Sequence, residues 1–317
     1  MSGVGFGIDI GGTKVAGVAV DASGEVVASV RRPTRAGADG VVASALEVIR
    51  ELDRRAERDT GRPIGVGVPG RVDAAGRVLH PVNLGLTEPE LPLAAILGGR
   101  LGQPVVVEND VNVAALGARA WLGQQPSIAV DVDNVAYLSL GTGVAAGLIV
   151  DGALRRGATG SCGEVGHVPI ADGPACGCGQ SGCVELFASG RGLARLWRTP
   201  RGYALPALMK SVGEGDGRAL AVWHQFTDAV AGALRILALS VDPACFILGG
   251  GLTNVGDGLL VGVQEALGRQ AAGSPFLASL RIAERVFSIP PGLPVGALGA
   301  AVMTRDAARP APLVGSR

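Results

Sequence analysis

Ile10-Gly-Gly-Thr-Lys-Val-Ala-Gly-Val-Ala-Val-Asp21 and Leu140-Gly-Thr-Gly-Val-Ala-Ala-Gly-Leu-Ile-Val-Asp151 lie 130 residues apart and align without a gap, with Gly17 over Gly147 and an Asp closing each. Each stretch reads as apolar strand, Gly/Thr turn, apolar strand. In the first copy the strands run from Val4 to Ile10 and from Val15 to Val20, and a turn at Asp21 to Gly24 leads to a third strand from Glu25 to Val30. A duplicated hairpin implies two similar α/β domains facing each other across a cleft, each contributing one turn. Turns of this kind point successive backbone N–H groups outward, and small residues let a phosphate chain approach. Gly11, Gly12, Thr13 and Lys14 are therefore candidate phosphate ligands in one copy, and Gly141, Thr142 and Gly143 in the other. The copies differ where Asp9 precedes the first turn and Ser139 the second. A carboxylate beside a phosphate cradle is repulsive unless a cation intervenes, so Asp9 is a candidate ligand for Mg2+ or its water, with turn capping as the alternative.

Outward from the first hairpin, apolar residues at 42, 45, 46, 49 and 52 predict an amphipathic helix between Val41 and Arg58, stopped by Gly61-Arg-Pro63. Ile64 to Val68 predicts a buried strand. Gly65 to Gly70 formally matches GxGxxG, but its glycines lie inside the strand, Pro69 interrupts it and a turn follows, so a dinucleotide fingerprint is rejected. Pro104 to Val107 predicts a strand running into Glu108-Asn109-Asp110-Val111-Asn112, ahead of a helix from Val113 to Leu122. Asn109 and Asp110 thus occupy the carboxyl end of a strand, where open α/β sheets collect ligands. Asp110 as a plain helix N-cap is the competing reading. Further on, Ala219 to Val241 predicts a long helix and Cys245 to Leu248 a strand opening into Gly249-Gly250-Gly251, whose bare backbone suits a nucleotide base or ribose. Val295 to Met303 predicts the last helix, and residues 307–317 a loose tail.

Glu164-Val-Gly-His167 and Cys176-Gly-Cys178-Gly-Gln-Ser-Gly-Cys183-Val-Glu185 gather three of five cysteines and one of three histidines within a short window. Thiolates and an imidazole at one point favour tetrahedral zinc, and four protein ligands close the coordination, so the metal is structural. A disulfide pair or ordinary buried cysteines are the alternatives, the disulfide disfavoured without a signal sequence. Glu164 and Glu185 flank the site and ligate nothing in this scheme, leaving a fixed fan of acceptors suited to a polyhydroxylated ligand.

At 317 residues, 48% hydrophobic and 18% charged, the chain can bury two sizeable cores. Its 28 basic and 28 acidic residues cancel, and no basic stripe appears, so nucleic acid is excluded as a partner. No apolar run is long enough to cross a bilayer and Asp9 interrupts the first apolar segment, which excludes a membrane anchor and points to the cytoplasm.

Taken together, Asp9-Ile-Gly-Gly-Thr-Lys14, Glu108-Asn-Asp110, Leu140-Gly-Thr-Gly143, Glu164-x-x-His167 and the Cys176 to Glu185 cluster resemble the signatures of the ROK family of bacterial sugar kinases and repressors, over residues 5 to 305. The resemblance implies a duplicated actin/hexokinase-like (ribonuclease H-like) α/β fold with an interdomain cleft. Its small domain would cover residues 1–121, completed by a C-terminal helix at 295–306, and its larger zinc-bearing domain residues 122–294. It also implies a homodimer or homotetramer, structural Zn2+ on His167, Cys176, Cys178 and Cys183, and Mg2+ with ATP. Asp110 would take the proton of a hexose 6-hydroxyl. Gly70, Asn83, Asn109, Glu164, His167 and Glu185 would hold the sugar, and Gly250 and Gly251 would join the two turns on the nucleotide. The expected activity is ATP-dependent phosphorylation of an aldohexose, glucose first, with N-acetylglucosamine or N-acetylmannosamine as alternatives. The loop Asn83-Leu-Gly-Leu-Thr-Glu-Pro-Glu90 departs from the Asn-Leu-Pro-Gly-Trp-like loop of family glucokinases. Polyphosphate as donor lacks a basic patch, and a repressor is disfavoured because the first strand begins at Val4, without room for a winged helix.

Overall fold

The computed structural model describes residues 4–57, 62–81, 83–126, 128–199 and 204–306; Gly61 and the tail expected at 307–317 lie outside the described residues. The chain divides into two compact units, Met1–Pro126 with Pro294–Arg317, and Ser127–Leu293. The expected boundary after residue 121 would cut the helix Asp110–Gly123 in its last turn, and the first unit keeps that helix whole.

In the first unit, β1 (Gly5–Ile10), β2 (Lys14–Val20), β3 (Val26–Pro33), β4 (Ile64–Val68) and β5 (Val105–Asn109) form one sheet in the order β3-β2-β1-β4-β5. The first three strands pair antiparallel; β1–β4 and β4–β5 are parallel. β1 and β4 are apolar almost throughout because helices cover both faces, as parallel pairing requires. Helix α1 (Ala38–Arg55) starts three residues before the expected Val41 and buries Val41, Val42, Leu46, Val48, Ile49 and Leu52. Each such side chain contributes about 1.5–3 kcal/mol when fully removed from water. Helix α2 (Asp110–Gly123) follows β5 without a linker. The C-terminal helix (Val295–Asp306) packs on β1, β4 and α2 at backbone contact: a methyl on Gly7 would strike the Ala297 carbonyl, one on Gly65 that of Ala300, and one on Gly117 that of Val295. Gly65, which mimics a dinucleotide motif in the sequence, is thus a helix-packing residue. Three short strands, Arg71–Val72, Val78–Leu79 and Glu90–Leu91, form a separate small sheet.

The second unit repeats the plan. β6 (Val135–Leu140), β7 (Val144–Val150), β8 (Ala153–Arg155), β9 (Cys245–Gly249) and β10 (Val286–Ser288) take the order β8-β7-β6-β9-β10, with the same sequence of antiparallel and parallel pairings. β6 and β7 begin and end 130 residues after β1 and β2. Their register does not copy: Ile10 faces Val15, whereas Leu140 faces Val144. The first turn therefore holds four residues and the second three, a difference hidden by the ungapped alignment. Helix α3 (Gly217–Ser240) carries Trp223, Phe226, Val230, Leu234 and Leu237 into the core. Among the described residues, no helix is long and apolar enough to cross a membrane.

Candidate active site

In the first unit the Gly11 to Lys14 turn is tied to its own sheet. Gly11 N–H donates to the Lys14 carbonyl (2.9 Å), while Thr34 donates its hydroxyl to the Gly11 carbonyl (2.6 Å) and its N–H to Thr13 (3.1 Å). Gly12 has no room for a side chain, since a methyl there would sit 2.6 Å from the Asn83 carbonyl. Asn83, with φ 61°, thus lies directly on the turn. Asp9, at the end of β1, abuts the first turn of the C-terminal helix, where a methyl on Gly296 would come within 2.7 Å of its carboxylate. Burial, reinforced by the charge of Asp110 and opposed by Lys14, pushes Asp9 up to about 7. A buried carboxylate whose proton affinity is raised by a neighbouring carboxylate makes a place that a divalent cation would relieve.

Asn109, not Asp110, is the N-cap of α2. Its Oδ1 accepts from the N–H groups of Val111 (2.9 Å) and Asn112 (3.1 Å). Its Nδ2 donates to the Gly70 carbonyl and to Asp110 Oδ1, both at 3.1 Å. Val111 N–H also reaches Asp110 Oδ1, at 3.0 Å. Asp110 is therefore the first helical residue, with one carboxylate oxygen held by two donors. Underneath, buried Glu108 accepts from Asn109 N–H (2.8 Å) and Asn112 Nδ2 (3.0 Å), which fixes the strand-to-helix corner.

In the second unit His167, Cys176, Cys178 and Cys183 offer ligand atoms that all lie within 4.8 Å of one another. A tetrahedron with bonds of about 2.3 Å to sulfur and about 2.0 Å to nitrogen has edges of about 3.8 Å between sulfurs and about 3.5 Å from sulfur to nitrogen. Cys178 Sγ and Cys183 Sγ stand 3.7 Å apart, and Cys176 Sγ is 3.6 Å from His167 Nδ1, so the four fit zinc. The Gln180 backbone N–H, then its side-chain amide, hold Cys178 down at about 6, while burial pushes Cys183 upward; a cation is what lets both be thiolates together. With Nδ1 turned to Cys176, His167 Nε2 faces Glu164 Oε2 at 3.9 Å. Glu185 accepts from Val144 N–H at 3.1 Å through Oε2 and crowds Gly143. Gly250 (φ 88°) lies against the backbone of Leu140 at the base of the second turn. The expected residues thus form two groups. Asp9, Gly11 to Lys14, Gly70, Asn83, Asn109 and Asp110 belong to the first unit, and Gly141 to Gly143, Glu164, His167, the three cysteines, Glu185, Gly250 and Gly251 to the second.

The ROK family profile matches residues 5–306. The chain belongs to the ROK family. A glucokinase from Streptomyces coelicolor is 32% identical over 96% of this chain and 98% of its own length. An N-acetyl-D-glucosamine kinase from Pectobacterium atrosepticum is 35% identical over 78% and 84%. Among solved structures, a ROK family glucokinase from Streptomyces griseus in complex with glucose and AMPPNP is 30% identical, covers 96% of this chain and 100% of its own, and superimposes with a TM-score of 0.78. The fold of this ROK protein is accordingly the duplicated actin/hexokinase-like one.

Three residues of this ROK protein's site escaped sequence reasoning. Thr34 grips the first turn from β3's far end, with only its own identity as a signal. Glu108 was legible as part of a polar run but not as a buried strut. Gln180 donates to both the His167 carbonyl (2.9 Å) and Cys178 Sγ (3.4 Å), and its place inside the cysteine cluster was the available hint.

Proposed function

We propose that this ROK protein is an ATP-dependent hexose kinase acting on the 6-hydroxyl of an aldohexose, glucose first. The observation that carries the reading is Asp110. It is a carboxylate oriented by two donors at a strand's end, in the unit that also holds a Gly/Thr phosphate turn and Asp9. Asp110 takes the hydroxyl proton as the oxygen attacks the γ-phosphorus, and the ADP oxygen leaves with the bond's electrons. A loose transition state needs positioning more than covalent help, and such a base is worth about 10²–10⁴ in rate. Asp9 would hold Mg2+, which would supply charge neutralisation for the transferred phosphate. Zinc would hold the loop that carries His167, so that Nε2, Glu164 and Glu185 can bind ring hydroxyls. Asn109, whose amide is engaged by the cap and by Asp110, acts first by orientation. The 30–32% identity to glucokinases over almost the whole chain supports glucose.

N-acetylglucosamine is the second reading, favoured by the 35% identity to a kinase of that sugar and by the divergent Asn83 to Glu90 loop. We further propose a homo-oligomeric, cytoplasmic enzyme. A coupled ADP-release assay with Mg·ATP over glucose, mannose, N-acetylglucosamine, N-acetylmannosamine and glucosamine decides. The greatest kcat/KM is expected on glucose, and no turnover on any of them would refute the kinase.

A further inference from the structure

The residues flanking the zinc ligands do more than present acceptors to a sugar, because they clasp the second phosphate turn on both sides. On the N-terminal side, Ala146 N–H donates to the Gly163 carbonyl at 2.7 Å, and a methyl on Gly166 would collide with the Val144 carbonyl. On the C-terminal side, Glu185 Oε2 accepts from Val144 N–H at 3.1 Å, and Gly190 N–H donates to the Gly141 carbonyl at 2.8 Å. Between these arms lie the ligands that a metal would staple, His167 on one and Cys183 on the other, with Cys183 only two residues from Glu185. Inside the turn, a methyl added to Gly143 would land on Glu185 Oε2, so the glycine leaves the space that the carboxylate fills.

We propose that Glu185 is a positioning residue for the nucleotide as well as a sugar ligand. One carboxylate oxygen pins the Gly141 to Gly143 turn in its phosphate-gripping shape while the other is left for the sugar. The inference rests on the kinase reading and deepens it. The metal-stapled segment sets nucleotide affinity even with no sugar bound, and an alteration of the turn reaches the sugar through Glu185. Glutamine at this position keeps an acceptor for Val144 N–H and loses the charge, whereas alanine loses both.

The test is calorimetric titration of full-length protein with Mg·AMPPNP in the absence of sugar, and separately with glucose. Glu185→Ala is expected to weaken Mg·AMPPNP by about tenfold, the size of one lost hydrogen bond to a charged group, whereas Glu185→Gln keeps nucleotide affinity and loses that for glucose. Gly143→Ala displaces only the flexible end of a side chain and leaves the fold intact by circular dichroism. It is expected to weaken glucose although the substitution lies in the phosphate turn. Unchanged Mg·AMPPNP affinity in Glu185→Ala, or unchanged glucose affinity in Gly143→Ala, overturns this inference alone. A parent protein that binds neither ligand overturns the kinase reading with it.

Discussion

The two Gly/Thr turns share one hairpin plan but are held by different means. The first, four residues long, is fastened by Thr34 from its own sheet and lies beside Asp9 and Asp110, two carboxylates that a cation would reconcile. The second, one residue shorter, has Ser139 where the first has Asp9. It is fastened from outside its sheet by the segment that carries the metal ligands. On the proposed reading, one copy of the hairpin serves the acid–base and Mg2+ chemistry and the other is clamped by the segment that carries the metal ligands. The shorter turn leaves Val144 N–H facing Glu185, whereas in the longer turn the corresponding fastening comes from the Gly11 and Thr13 carbonyls on Thr34.

The largest effect that would sharpen this division is on turnover. Asp110→Asn keeps the side chain's acceptor for Val111 and is expected to lower kcat by about 10²–10⁴ with glucose affinity nearly unchanged. A calorimetric loss of glucose affinity equal to the loss in rate would break it. Next comes the metal. Cys178→Ser is expected to weaken glucose by about 10–100-fold and to lower zinc content together, because metal binding and loop folding are one equilibrium. Normal glucose kinetics in the zinc-free variant would contradict the clamp.

A smaller effect concerns pH. Asp9 has a folded pKa of about 7, raised from its ordinary 3.8, so the folded state binds the proton more tightly than the unfolded chain. Stability of the metal-free protein therefore falls as pH rises from about 4 to about 7, and the full penalty is present above that range. Asp9→Asn removes the penalty and is expected to raise the melting temperature at pH 8 by roughly 2–6 °C, with the gain fading toward pH 4, while kcat falls. Equal melting temperatures at pH 8 would show that burial does not strain Asp9. The smallest effect is Thr34→Val, which removes one hydroxyl from the first turn. It is expected to weaken Mg·AMPPNP by about fivefold, leaving zinc content and glucose affinity alone. A loss of zinc in that variant would mean that the two grips are not separate.

Most of the architecture was legible because it is periodic. The hairpin strands, the helix between β3 and β4 and the long helix α3 all follow from apolar spacing, and the 130-residue offset follows from repetition. The metal ligands were legible because soft donors are rare and here adjacent. What the sequence concealed was register and partnership. A one-residue difference between the turns cannot be seen when both are written in glycine and threonine. Nothing local marks Asn109 rather than Asp110 as the cap, since both are good N-cap residues and only the φ/ψ of the corner decides. Gly65 and Gly67 resembled a nucleotide motif because a strand packed tightly against helices, Gly65 on the Ala300 carbonyl and Gly67 on the Val113 side chain, has the same composition. The roles of Thr34, Gln180 and the Val144 contact of Glu185 are tertiary, made between residues 13 to 41 positions apart, or inside a loop with no regular pattern.

The most direct test of the divided grip is hydrogen–deuterium exchange with and without a zinc chelator. Removal of zinc is expected to expose the amides of Val144, Ala146 and Gly190 while those of Gly11 and Thr34 stay protected. Equal loss of protection in both hairpins, or none in either, would contradict it.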